Sequence, residues 1–178
     1  MELPEEIANR PKRRPGQQPS ATLTLEAYSR LKTELDEMKS TGRTRIAERL
    51  LHARELGDIS ENAEYDAAKD EQGLMEARTR KLEAMLRDPE IVEAPAASDA
   101  VIAGMVVTLL PLDDDESEEE QYLLADSGEE RAPGMRTITI TSPLGSALVG
   151  AHEGDEISYD APGGSFRYRV VGFKPVGS

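Results

Sequence analysis

The stretch Gly57-Asp58-Ile59-Ser60-Glu61-Asn62-Ala63-Glu64-Tyr65 decides the fold, because a helical pattern runs into it and a second helical pattern runs out. Gly57 is suited to the left-handed position that closes a helix, and Asp58 or Ser60 is suited to cap the next one. The chain reverses here, and the spacing predicts the tip of a helical hairpin. Asp58 and Glu61 are three apart, so once the second helix has begun both carboxylates project from one face. Capping alone accounts for many such pairs, since free amides and the helix dipole favour acids at an N-terminus.

Outward from the tip, the two flanking patterns match. On the incoming side Tyr28, Leu31, Leu35 and Met38 recur at steps of three and four, with Thr24 and Glu26 suited to the first turn. The four-residue steps from Met38 to Gly42 and Ile46 leave the heptad, which Leu50, Ala53 and Gly57 resume; a bend is expected near Ser40 to Arg45. On the outgoing side Ala68, Met75 and Leu82 interleave with Tyr65, Gln72, Thr79 and Leu86, a seam that is small and polar near the tip and apolar near the base. At about 1.5 Å per residue, Asp58 to Arg87 gives an arm of roughly 45 Å.

Pro89, Pro95 and the small residues Ala94 to Ala100 read as a linker to a second domain. Val101 to Leu112, Gln121 to Ala125, Arg136 to Thr141, Glu156 to Tyr159 and Phe166 to Phe173 are β-branched or aromatic stretches between turn residues, which predicts five strands. Ser142-Pro143 supplies an N-cap and first-turn proline for a short helix through Leu148, ended by Gly150. Asp113 to Glu120 holds seven acids in eight residues without the glycine spacing of a calcium loop, and is read as a solvated hairpin loop. Met1 to Ser20 carries four prolines and the basic cluster Arg10, Lys12, Arg13, Arg14, and reads as a disordered tail, with weak electrostatic contact to a partner as the lesser alternative.

Composition narrows the function. No cysteine is present and only two histidines, His52 and His152, which excludes disulfides, thiol nucleophiles and a structural zinc site. No apolar run reaches spanning length and no leader pattern opens the chain, so a soluble cytoplasmic protein without a membrane partner is expected. The net charge of −14 divides as +1 over residues 1–20, −2 over 21–87 and −13 over 88–178. Such an acidic C-terminal half repels phosphate, so any RNA contact falls to the arm, guided by a protein partner.

Gly57 to Tyr65, continued by Ala67-Ala-Lys-Asp-Glu-Gln-Gly73, closely resembles the bacterial Gre transcript cleavage factors, GreA more than GreB. Ser142-Pro-Leu-Gly-Ser-Ala-Leu148 and Ala161-Pro-Gly-Gly164 resemble that family's C-terminal domain, so the resemblance covers about residues 22 to 173. It implies an α+β chain: a tail over 1–21, an antiparallel coiled-coil arm over 22–93, and an FKBP-like domain over 98–175 that docks on polymerase. It further implies a transcription elongation factor, not an enzyme in itself. The resemblance also implies that the arm enters the secondary channel of bacterial RNA polymerase and that Asp58 and Glu61 complete the polymerase's second magnesium site for cleavage of backtracked RNA. Mg2+ would be shared in that site, with none held tightly by the free protein, which is expected to be a monomer.

Arg54 and Lys69 match basic positions flanking the tip, as candidates for the nascent RNA 3′ end; the bland alternative pairs them with Glu55, Asp66 or Asp70. Tyr65 is read as a seam residue, and Ser142, Pro143 and Leu144 as docking candidates. Ser60 stands where many relatives carry Lys and Asp66 where many carry His, which makes this tip more acidic. A non-cleaving channel regulator is the alternative function. A peptidyl-prolyl isomerase would rest on fold alone, in a domain expected to lack the aromatic residues of such a pocket.

Overall fold

The computed structural model describes residues 3–55, 63–93, 95, 98–113 and 118–176. The chain forms two compact units. One takes Pro11–Ala21 and Tyr28–Glu90; the other takes residues up to Arg10, Thr22–Ala27 and the chain from Ile91 on.

The first unit is helical. Helix α2 (Leu25–Glu37) passes through a π-helical segment (Met38–Gly42) into α3 (Arg43–Glu55), and α4 (Ala63–Leu86) returns along them. Thr24 caps α2, its hydroxyl accepting from the Ala27 amide at 3.2 Å. The π-helical segment lies at the break in the heptad, overlapping the expected bend, and three hydroxyls bond back to carbonyls around it: Ser40 to Asp36 at 2.7 Å, Thr41 to Glu37 at 3.1 Å and Thr44 to Ser40 at 3.3 Å. A side chain at Gly42 would place its Cβ 3.1 Å from Met75 Sδ and 3.4 Å from the Glu37 carbonyl oxygen, so glycine is what lets α4 approach here.

The seam follows the predicted heptad. Ala68, Thr79 and Leu82 are buried, with Tyr65, Gln72, Met75 and Leu86 half-buried between them. Tyr28, Leu31, Leu35, Ile46 and Ala53 are their buried counterparts on the incoming side. Charge reinforces this narrow core: Arg78 grips Glu34 at 2.7 and 2.9 Å, Lys39 meets Glu83 at 2.6 Å, and Arg49 meets Glu71.

The second unit is a five-stranded sheet with one short helix. Strands β3 (Met105–Pro111), β4 (Glu120–Ala125), β5 (Arg136–Thr139), β6 (Glu156–Ala161) and β7 (Gly164–Pro175) lie in the order β5-β4-β3-β7-β6. The β4–β5 pair is parallel and the others antiparallel. Met105, Val107, Leu109, Leu124 and Val170 share one face, where Leu144 and Leu148 of α5 (Pro143–Leu148) cover them. Leu123 and Ala125 face the other way, against Ala132. This is the α+β class expected, with all five strands and the helix in the expected stretches.

Four details differ from the sequence reading. Val101 does not open the first strand: its amide donates to Ala151 and its carbonyl accepts from Gly150, and Gly104, at φ +88°, turns the chain before β3. A two-stranded sheet, β1 (Thr22–Thr24) with β2 (Glu90–Val92), was not anticipated. Glu130 holds the Thr24 amide and hydroxyl, each at 2.8 Å, so the start of the expected arm belongs with the sheet unit. The expected disordered tail instead contains one helical turn, α1 (Glu5–Ala8), and a segment bonded to Asp88, because Arg13 finds a carboxylate remote in sequence.

Candidate functional site

Helices α3 and α4 end and begin at Glu55 and Ala63, so the residues joining them include Asp58 and Glu61. Gly57, Asp58, Ser60 and Glu61 lie outside the described residues. What the structure describes is the pair of helix ends on either side.

There Arg54, in the last turn of α3, lies over the ring of Tyr65, its guanidinium carbon 5.7 Å from the ring centroid. Arg54's hydrogen bond, and after it the charges of Arg54 and Lys69, hold the Tyr65 phenol below its ordinary pKa against the opposing effect of burial. Arg54, Tyr65 and Lys69 are thus brought together. Lys69 Nζ donates to Gln72 Oε1 at 2.8 Å, one turn along the same helix. Both side chains are therefore engaged with neutral groups, Tyr65 and Gln72. Tyr65, read as a seam residue, is half-buried and also carries the cation.

The docking candidates separate by role. Ser142 is the N-cap of α5: its hydroxyl accepts from the Gly145 amide at 3.1 Å and donates to the Thr139 carbonyl at 2.7 Å. Pro143 occupies the first turn and is exposed. Leu144 is buried in the sheet core, so it supports the surface from beneath instead of forming it. Gly145 is required sterically, because a Cβ there would lie 2.0 Å from the Thr139 carbonyl oxygen.

Two residues that the sequence reading passed over are exposed near this helix. Val149 and Ile102 are 49% and 38% exposed, and the Gly150 amide bonded to the Val101 carbonyl at 2.9 Å brings their chain segments together. Their signal was faint: each is an apolar residue beside a buried one, Leu148 and Val101.

The sheet unit also holds several aromatic contacts. Tyr159 stacks on Phe166 at 5.5 Å and on Tyr168 at 6.1 Å, and Arg136 lies 5.0 Å above the Tyr122 ring. Tyr122 donates to Glu120 and accepts from Arg136 at 2.9 Å. Burial comes first among the causes that raise the pKa of Tyr122 and of Tyr168. Tyr122 lies in the core, and Tyr159 and Tyr168 pack against it. Asp113, at the start of the acidic run, is committed to Arg167 through its amide at 2.8 Å and guanidinium at 3.0 Å, contacts that hold its carboxyl below the usual range.

Known proteins agree with both units. The family model "Transcription elongation factor, N-terminal" matches residues 21–91, and "Transcription elongation factor, GreA/GreB, C-term" matches residues 96–175. Transcription elongation factor GreA of Streptomyces avermitilis is 44% identical over 142 residues, covering 80% of this chain and 85% of that protein. The GreA of Thermotoga neapolitana is 42% identical over 149 residues, covering 84% and 94%. The crystal structure of GreA factor homolog 1 (Gfh1) of Thermus thermophilus is similar over 86% of this chain and 98% of that one, with 29% identity and a TM-score of 0.36. The chain belongs to the GreA/GreB family of transcription elongation factors.

Proposed function

We propose that this elongation factor binds bacterial RNA polymerase through its sheet unit and stimulates cleavage of backtracked RNA with the tip of its helical hairpin. The observation that carries the proposal is the place of Asp58-x-x-Glu61. Both acids fall in the sequence between Glu55 and Ala63, where one packed helix ends and the other begins, and Arg54 and Lys69 flank them along the chain. The relatives' name, transcription elongation factor GreA, supports the polymerase as partner. Pro143, with Val149 and Ile102, offers exposed apolar surface for the docking contact.

The donor set fits magnesium as a shared ion. Carboxylate oxygens are the hard ligands it prefers, but two acids alone leave most of an octahedral shell to water, RNA and the polymerase. Asp58 and Glu61 would hold it; when bound, the ion activates water and neutralises charge at the scissile phosphate. Arg54 and Lys69 would steer the RNA 3′ end by charge, with Tyr65 fixing the Arg54 guanidinium.

The test is cleavage of RNA in stalled cognate elongation complexes, measured against magnesium concentration at saturating factor. Asp58→Asn should bind as tightly as the wild type yet cleave more than a hundredfold more slowly, about 3 kcal/mol in barrier, with partial recovery at high magnesium. Asparagine caps helices nearly as well as aspartate, so a capping role predicts no loss. Equal rates at every magnesium concentration would leave the non-cleaving channel regulator as the function.

A further inference from the structure

We infer that residues 11–21 form a built-in strap that fastens the root of the arm, by closing the C-terminal end of α4. All of the segment but Ala21 precedes the residues that the family model matches, which begin at 21.

A helix end leaves its last carbonyls without partners, and α4 ends at Leu86. Ser20 answers one of them: its hydroxyl donates to the Met85 carbonyl at 2.6 Å and accepts from the Asp88 amide at 3.0 Å. The backbone continues the contact, Ser20 amide to Asp88 carbonyl at 3.0 Å and Glu90 amide to Ala21 carbonyl at 2.8 Å. Arg13 then locks the segment from its other end. Its Nε donates to Asp88 Oδ2 at 2.7 Å and its Nη2 to the Asp88 carbonyl at 3.0 Å, while Gln17 reaches the same carboxylate at 3.3 Å.

Three features make this a fastening and not a chance surface contact. The Arg13 and Asp88 side chains are only 28% and 26% exposed, more sheltered than pairs that solvent screens away. A guanidinium past the C-terminal end of a helix also lies where the helix dipole favours a cation. Pro11, Pro15 and Pro19 restrict the segment before it docks, which lowers the entropy lost on docking. Lys12 and Arg14, on either side of Arg13, are exposed, so the segment's basic cluster divides into one anchoring residue and two solvated ones.

The strap predicts that the root of the arm is held by chain lying ahead of the residues that the family model matches. Amide exchange in the full-length protein tests this directly, with Asp88 and Glu90 as reporters because their amides are bonded to Ser20 and Ala21. Arg13→Ala should speed exchange at both amides about tenfold while leaving the middle of α4 unchanged, and Lys12→Ala should do nothing. The reversed pair Arg13→Asp with Asp88→Arg should restore protection. Removal of residues 1–19, which leaves the family's region whole, should release the same amides further. Unchanged exchange after that truncation would overturn the strap, as would an Arg13→Ala effect no larger than that of Lys12→Ala or a reversed pair that restores nothing. None of these readouts involves cleavage, so the strap and the proposed function fail separately.

Discussion

The helical unit and the sheet unit are stabilised by different means. Among the described residues, of the ten largest fully buried side chains only Leu31 and Leu82 belong to the helical unit, while the sheet unit holds Leu23, Val101, Met105, Val107, Leu109, Leu124, Leu148 and Val170. The arm makes up part of the difference with ion pairs across its seam, Arg78–Glu34, Lys39–Glu83 and Arg49–Glu71. Burial stabilises strongly and leaves little freedom, whereas exposed ion pairs contribute weakly and respond to salt. The sheet unit rests chiefly on the first, and the helical unit draws more on the second.

The comparison breaks first in the cores. Leu124→Ala should cost the sheet unit about 4 kcal/mol, because the side chain is enclosed on a face also packed by Leu144 and Leu148. Leu82→Ala should cost the helical unit about 3 kcal/mol, since a two-helix seam collapses more readily onto the space left behind. Amide exchange in increasing denaturant, read at core amides of α4 and of β3 and β4, measures both separately. A larger loss at Leu82 would mean that the arm depends on its apolar core more than its composition suggests.

The ion pairs sharpen it next. Arg78→Met keeps the aliphatic stem but removes the grip on Glu34, and about 1 kcal/mol should be lost from the helical unit. That loss should shrink in high salt, while the cost of Leu124→Ala should not. Equal salt responses would show that the Arg78–Glu34 pair acts by packing alone.

What the sequence made legible was local or periodic. The hairpin followed from turn residues around Gly57 and a heptad through Ala68, Thr79 and Leu82; α5 followed from Ser142-Pro143 and Gly150. The strap did not, since Arg13 and Asp88 are 75 residues apart and a single ion pair leaves no period to read. The β1–β2 sheet was hidden for the same reason, as two three-residue strands too short to alternate visibly. That Leu144 faces inward was not legible because a six-residue helix does not establish which face is buried. The stacking of Tyr159 on Phe166 and Tyr168 was not legible because the rings come from two strands that only the sheet brings together. For the tip, the motif itself remains the evidence for Asp58 and Glu61, while the structure adds that Arg54 is committed to Tyr65.

The smallest expected effect separates the units by proton chemistry. Tyr65 in the arm is held below the ordinary tyrosine pKa, chiefly by its hydrogen bond with Arg54, whereas burial raises Tyr122 and Tyr168 in the sheet unit. For the raised pair the unfolded chain releases its protons first. The stability they contribute is intact below about pH 10 and is lost as pH rises from there toward their raised values. Tyr65 has the opposite sign: its contribution is present above the ordinary value and disappears as pH falls through its lowered one. Phenolate absorbance during an alkaline titration should therefore show an early transition missing in Tyr65→Phe and a late one diminished in Tyr122→Phe. Arg54→Leu should move the early transition up toward the ordinary value while leaving the late one in place. If Tyr65 titrated together with Tyr122, Arg54 would not be resting on its ring, and the guanidinium would be free to pair with the acids of the tip.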